Sequence, residues 1–276
     1  MSVASSGTSV SVGGLRGNLI GFQTIVIKEV TRLLRIWPQT IVPPVITTTL
    51  YYVIFGRVIG SRVGDMGGVT YLEFIVPGLV MMSVINNSYG NVVSSFFSSK
   101  FQRNVEELLI SPMHESVILL GYMAGGIVRA MMIGTIVLLV SLFFVDTVSI
   151  YSIPITLAVA VLTAALFSIG GFINALVARK FDDISIFPTF ILTPLTYLGG
   201  VFYSITLLPQ PWEMISRINP IVYMVSAFRF GILKDRLNPE LIDINIGVAF
   251  AAIAMFIVVL FTIASWMLHK GVGLRS

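Results

Sequence analysis

Cysteine is missing from the 276 residues, histidine occurs twice, and only 11% of residues are charged. Without cysteine there is no disulfide and no thiolate metal ligand, and the redox compartment is left open. His114 and His269 both sit at the edges of apolar runs. Neither a histidine metal cluster nor a histidine-based triad within a membrane is therefore available. No Gly-Lys dipeptide occurs, which removes a Walker A phosphate loop and ATP hydrolysis by that route. The long apolar runs hold no Asp or Glu. Ion-coupled carriers place carboxylates at that depth, so their absence disfavours ion coupling. It also leaves a lipid-modifying enzyme, the alternative of another class, without an acid/base pair. The net charge of +4 is spread over the loops and makes no basic stripe, so no nucleic-acid partner is implied.

What remains is apolar: 56% of residues are hydrophobic and the mean hydropathy is +0.94. A helix crosses the hydrocarbon layer in roughly 20 residues, and six segments are long enough. They are Ile36–Gly56, Phe74–Ser99, Ser116–Val145 (interrupted by Arg129), Thr147–Ala178, Ile184–Trp212 and Ile244–Leu268. Short alternating segments of the kind a barrel needs do not occur. The expected fold class is an all-α integral membrane protein of six transmembrane helices, its lipid bilayer a first partner. Residues 1–18 read as a disordered cytosolic tail without the features of a cleaved signal, and residues 19–276 as one transmembrane domain. With the N-terminus inside, ten Lys and Arg fall in inner loops against six in outer ones, which places both termini in the cytosol.

Leu19 to Trp37 has helical periodicity, with Leu19, Phe22, Val26, Val30, Leu33 and Trp37 on one face and Lys28, Arg32 and Arg35 mostly away from it. That pattern suits a helix lying in the inner interface, either as an anchor that sets topology or as a docking element. Pro38, Pro43 and Pro44 predict a kink or late start for the first span. Gly56, Gly60 and Gly64 are read as leading into an outer loop. In the second span Asn86, Asn87 and Tyr89 stand among serines, a surface for protein or for a water-filled path. Ser98 to Ser116 concentrates charge at Lys100, Arg103, Glu106, Glu107 and Glu115. Its middle predicts a short amphipathic helix that ends at Ser111-Pro112, where proline disfavours helix.

Arg129 is the one cation inside a span, about 15–20 Å from its inner end. It either lines the route of an anionic or polar substrate, or pairs with carbonyls or the second span's amides, or snorkels to the interface. Gly126, Ala130 and Gly134, spaced by four, predict close approach of a neighbouring helix. Gly170, Gly171 and Asn174 read as packing residues. Leu207 to Asp243 predicts two short external helices, interfacial or re-entrant, broken at Asn219-Pro220.

Two motifs carry a family resemblance. Glu106-Glu107-Leu108-Leu109-Ile110-Ser111-Pro112 follows the second span, and Leu208-Pro209, Trp212, Asn219-Pro220-Ile221-Val222-Tyr223 and Phe228-Arg229 precede the last. In this order they resemble the permeases of the ABC type-2 exporter family, over nearly the whole chain. The resemblance implies a permease of the bacterial inner membrane that exports an amphiphile: a drug-like molecule, a lipid or a lipid-linked glycan. A polysaccharide-export permease is the alternative within transport. It also implies a second permease copy and two separate cytosolic ATPase subunits, which would bind the ATP and Mg, leaving this chain no cofactor of its own. Coupling to those ATPases would fall to Glu106, Glu107, Leu109, Ser111 and Pro112 with Arg32 and Arg35. The substrate pathway would include Asn86, Asn87, Tyr89 and Arg129, and the external gate Asn219, Pro220 and Tyr223.

Overall fold

The computed structural model describes residues 14–111, 113–145, 150–238, 241 and 244–274. Helix α1, Leu15–Arg35, begins four residues ahead of the expected Leu19. A break at Ile36 separates it from α2, Trp37–Val63. Pro38 opens α2, where its missing N–H would find no partner in any case. Two further prolines inside the helix, Pro43 and Pro44, are followed by wide i→i+5 turns over Tyr52–Ile59. The expected loop at Gly56 is instead helix through Val63. Without a Cβ, Gly56 lets the Leu72 side chain approach closely, so this glycine serves packing. Gly64, at φ 74°, then makes the turn that a side chain would strain.

A two-residue hairpin, β1 Asp65–Met66 and β2 Val69–Thr70, leads into α3, Tyr71–Phe101. Thr70 and Glu73 form a reciprocal capping box at its start. At 31 residues, α3 is about 46 Å long, and most of its side chains are buried. Helix α4 is short, Asn104–Ile110, and ends at Ser111 as the sequence predicts. Two long helices follow, α5 at Glu115–Ser141 and α6 at Ile153–Val177. Around α3 these two pack through Phe96, whose ring centroid lies 5.2 Å from Tyr122 and 4.2 Å from Phe172. Gly126 meets Val92 and Ser168, and Gly134 meets Val84, so the small residues admit neighbouring helices at this crossing. Likewise Gly171 lies against the Tyr89 backbone.

The fifth apolar segment departs from expectation. Its helix α7 starts at Asp183–Phe187, widens over Pro188–Leu192 and closes with Thr193–Tyr197. The 15 residues reach only about 22 Å. Gly199, pressed against Ile221, and Gly200, at φ 72°, turn the chain back there. A single turn at Ile205–Leu207 precedes α8, Trp212–Ile218, and α9, Pro220–Leu233. The break predicted at Asn219-Pro220 is present. The last helix, α10, is Ile246–Lys270. Among the described residues four helices are long and apolar enough to cross a membrane: α2, α5, α6 and α10.

Candidate functional site

Helix α1 does not stand apart from the bundle. It lies in the groove between α3 and α5, parallel to α5 and antiparallel to α3. On the α5 side, the His114 backbone N–H donates to Asn18 Oδ1 at 3.0 Å, a separation of 96 residues. The same offset brings Ile25 onto Gly121 and Glu29 onto Gly125, where an added Cβ would lie 2.7 and 2.6 Å from the facing side chains. On the α3 side the contacts run the other way. Lys28 Nζ donates to Ser99 Oγ at 3.2 Å, Ser95 Oγ to Glu29 Oε1 at 2.5 Å, and Arg32 Nη2 to Asn91 Oδ1 at 2.7 Å.

The face of α1 that is buried differs from the stripe the sequence suggested. Ile25, Glu29 and Leu33 point inward, while Leu19 and Trp37 are exposed. Glu29 is 1% exposed and both its carboxylate oxygens are engaged, one by Ser95 and the other by Arg32 at 3.0 Å. A buried carboxylate is tolerated only when so paired. Arg32, whose side chain is 28% exposed, is thereby directed into the bundle, whereas Arg35 remains exposed. Sequence reasoning missed Glu29 entirely. A glutamate among lysine and arginine on an amphipathic helix reads as solvated, and only the serines of α3 at matching turns hinted otherwise.

Arg129 occupies the α5 face one turn beyond Gly125. Its Nε is buried and meets no acceptor among the described residues, and the constant offset between α1 and α5 sets it at the level of Arg32 and Leu33. Among the described residues neither Asn86 nor Asn87 is hydrogen-bonded to Arg129. Asn86 is exposed at the middle of α3, on a cleft of about 250 Å³ formed with Pro43, Thr47 and Tyr51 of α2. Asn87 is buried and donates to its own helix at Ser83 O. Tyr89 accepts a hydrogen bond from Asn174 Nδ2 at 2.6 Å and stacks on Phe187, joining α3 to α6 and α7.

At the α4 end Glu106 and Glu107 are exposed while Val105 is buried as an anchor. Ser111 Oγ donates to Leu108 O at 2.6 Å, closing the helix. Pro112 lies outside the described residues, as does the Leu109 side chain. Just beyond, Met113 packs on Gly21 and His114 is bound to Asn18, so α4 is tied to the start of α1. A groove of about 640 Å³ opens beside α4, walled by Lys100, Arg103, Glu106 and Arg179. Lys100 Nζ reaches across to the carbonyls of Leu176 and Ala178, both at 2.7 Å, where a cation suits the C-terminus of α6.

The opposite end is held by polar side chains at each turn of chain direction. Asn219 Oδ1 accepts from Ile221 N–H at 3.0 Å, while its Nδ2 donates to Leu195 O at 2.6 Å. Pro220 opens α9, and Tyr223 donates to Arg217 O at 2.7 Å, holding α8 against α9. Arg229, within the stretch Leu207 to Asp243 that the sequence predicts to be external, is 2% exposed. Its guanidinium lies 3.9 Å from the Phe74 ring centroid and donates to Gly200 O at 2.7 Å, a cation–π contact inside the bundle. Arg236 pairs with Glu73 at 2.8 Å, and Asn238 N–H donates to Gly67 O, so the hairpin is fastened to the segment before α10.

With this arrangement in place, comparison with known proteins becomes informative. Residues 20–233 match the family model described as ABC-2 type transporter. The chain belongs to that family. Within the ABC-2 family, a protein named inner membrane transport permease YadH, from Escherichia coli K12, is 52% identical over 257 residues, 93% of this chain and 98% of that protein. Nodulation protein J of Rhizobium meliloti is 25% identical over 225 residues, 80% of this chain and 82% of its own length. The matched ABC-2 region runs from within α1 to the end of α9 and so takes in both polar ends described above.

Proposed function

We propose that this chain is the membrane-spanning permease subunit of an exporter of amphiphiles, without catalytic activity, driven by two separate cytosolic ATPase subunits that hold ATP and Mg. The observation that carries the reading is a continuous mechanical path. Exposed Glu106 and Glu107 sit on α4, α4 leads through Met113 and His114 to α1, and α1 is fastened by Glu29 and Arg32 to the buried helix α3. On this reading a push on α4 is passed to α1 and through it to α3.

On this reading α3 and α7 complete six crossings: α3 is long but polar and shielded by its neighbours, and α7 is a half-length helix closed by the α8–α9 pair. Both termini face the cytosol of a bacterium's inner membrane, in keeping with the excess of inner-loop cations and with the name of the Escherichia coli relative. A second copy covers the α2–α3 face. Asn86 and Thr47 are polar side chains at membrane depth on a face this chain leaves open, and such groups belong against protein or a water-filled path. The path between two copies would take the amphiphile, with Asn219, Pro220 and Tyr223 at its outer gate.

The test is reconstitution in liposomes with the ATP-binding protein that co-purifies from the source membrane. ATP-dependent outward movement of a labelled amphiphile, absent when either protein is omitted, is the expected result. Uphill transport or chemical turnover by the permease alone overturns the proposal.

A further inference from the structure

The polar seam along α1 has a charge excess. Lys28 and Arg32 lie on it, the α1–α5 offset sets Arg129 at the level of Arg32 and Leu33, and the carboxylate there, Glu29, is paired with Arg32. Lys28 is satisfied by Ser99 and Tyr122 Oη. At the next level in, three donors, Arg32 Nε, Asn91 Nδ2 and Arg129 Nε, are buried without an acceptor among the described residues. Asn91 is 1% exposed, and its amide orientation is fixed because Oδ1 accepts from Arg32. These donors come from three helices, α1, α3 and α5. Asn91 lies ten residues from the Phe101 end of α3, about 15 Å along the axis.

Buried donors in a low-dielectric setting are costly unless something accepts from them. Two guanidinium groups beside one carboxylate, which is paired with Arg32, also leave a positive charge uncancelled. Water supplies acceptors but no charge. A neutral acceptor leaves the repulsion between Arg32 and Arg129 in place. An oxyanion supplies both, and guanidinium forks match its geometry.

We propose that Arg32, Asn91 and Arg129 form a binding site for a phosphate-type oxyanion, either the headgroup of an amphiphile or a free phosphate. Where that amphiphile is the cargo, this rests on the exporter reading above; the binding itself does not. Lys28 and Glu29 hold the site's shape from one turn below, and the partial exposure of Arg32 and Arg129 provides the way in.

The experiment uses the full-length chain in phosphatidylcholine nanodiscs, with binding read by native mass spectrometry. The probes are a short-chain phosphatidic acid, the diacylglycerol with the same chains, and inorganic phosphate. Phosphatidic acid is expected to bind about tenfold or more tighter than the diacylglycerol, and Arg32→Gln and Arg129→Gln each to erase that preference. Arg129→Lys, which keeps the charge and loses the fork, retains part of it, and Arg62→Gln, at the exposed far end of α2, retains all. If inorganic phosphate displaces phosphatidic acid at equal concentration, a free anion is the ligand. If it competes only in large excess, the ligand is a lipid headgroup. Equal binding of phosphatidic acid and diacylglycerol to the unaltered chain overturns the site, as does preference retained in both Gln variants. Oxyanion binding without ATP-driven export would sink the exporter reading alone, and export without oxyanion preference would sink the site alone.

Discussion

Ser95 of α3 donates a 2.5 Å hydrogen bond to Glu29 of α1, deep in a chain whose apolar segments hold no carboxylate of their own. The pair joins the N-terminal helix to α3, most of whose side chains are buried. Removing one partner of a buried ion pair costs about 3–5 kcal/mol. Glu29→Ala strands Arg32 and Ser95 together, and a loss near the lower end of that range is expected in the unfolding free energy of the detergent-solubilised chain. Glu29→Gln, which keeps an acceptor for Ser95, is expected to lose less. Equal stability of all three proteins would show that α1 is not fastened here.

Gly121 and Gly125 are the places where α1 touches α5 most closely. Gly125→Leu inserts a side chain where even a Cβ would meet Glu29 at 2.6 Å. Overpacking of this kind costs about 1–3 kcal/mol. The expected outcome is a detached α1, read as faster proteolysis between residues 15 and 35, with the rest of the chain still inserted. Gly90→Ala is the control, since nothing lies within 4 Å of its Cβ position.

Charge reversal of the exposed pair, Glu106→Lys with Glu107→Lys, is expected to abolish most of the permease-dependent stimulation of the partner ATPase. Exposed carboxylates contribute little to stability, so the melting temperature should stay within about 2 °C of the parent. Stimulation that survives intact would remove α4 from the coupling path.

Asn219 secures the outer turn twice, as the N-cap of α9 and as donor to Leu195 O. Asn219→Ala loses a cap worth about 1 kcal/mol and frees α7 from α9. Leakage of a small dye through reconstituted liposomes is expected to rise, while binding of the ATPase is unchanged. A tight variant would mean that the α7–α9 contact is not a barrier.

How much of this was legible beforehand depended on whether the signal was local. Proline and chain length mark where α2 begins, where α4 stops at Ser111 and where α8 meets α9 at Asn219-Pro220, because those breaks arise within a few residues. The glycines at 126 and 134 announced a helix crossing through spacing alone. The early end of α7 at Tyr197 was hidden, since Gly199 and Gly200 look the same in a helix crossing as in a chain reversal. Glu29 and Arg229 were hidden for a different reason. Each is a charged residue whose burial is made tolerable by partners far along the chain, Ser95 in one case and Phe74 with Gly200 in the other.

The constant offset between α1 and α5 has a kinetic side. Ile25 and Glu29 seat in successive sockets at Gly121 and Gly125, one helical turn apart. Sliding α1 to the next seat requires a jump of about 6 Å, and packed helices move between such discrete positions, not through a continuum. Any stroke shorter than that jump is not absorbed as slip but drags α5 along whole, which makes the two helices a clutch that stays engaged under small loads.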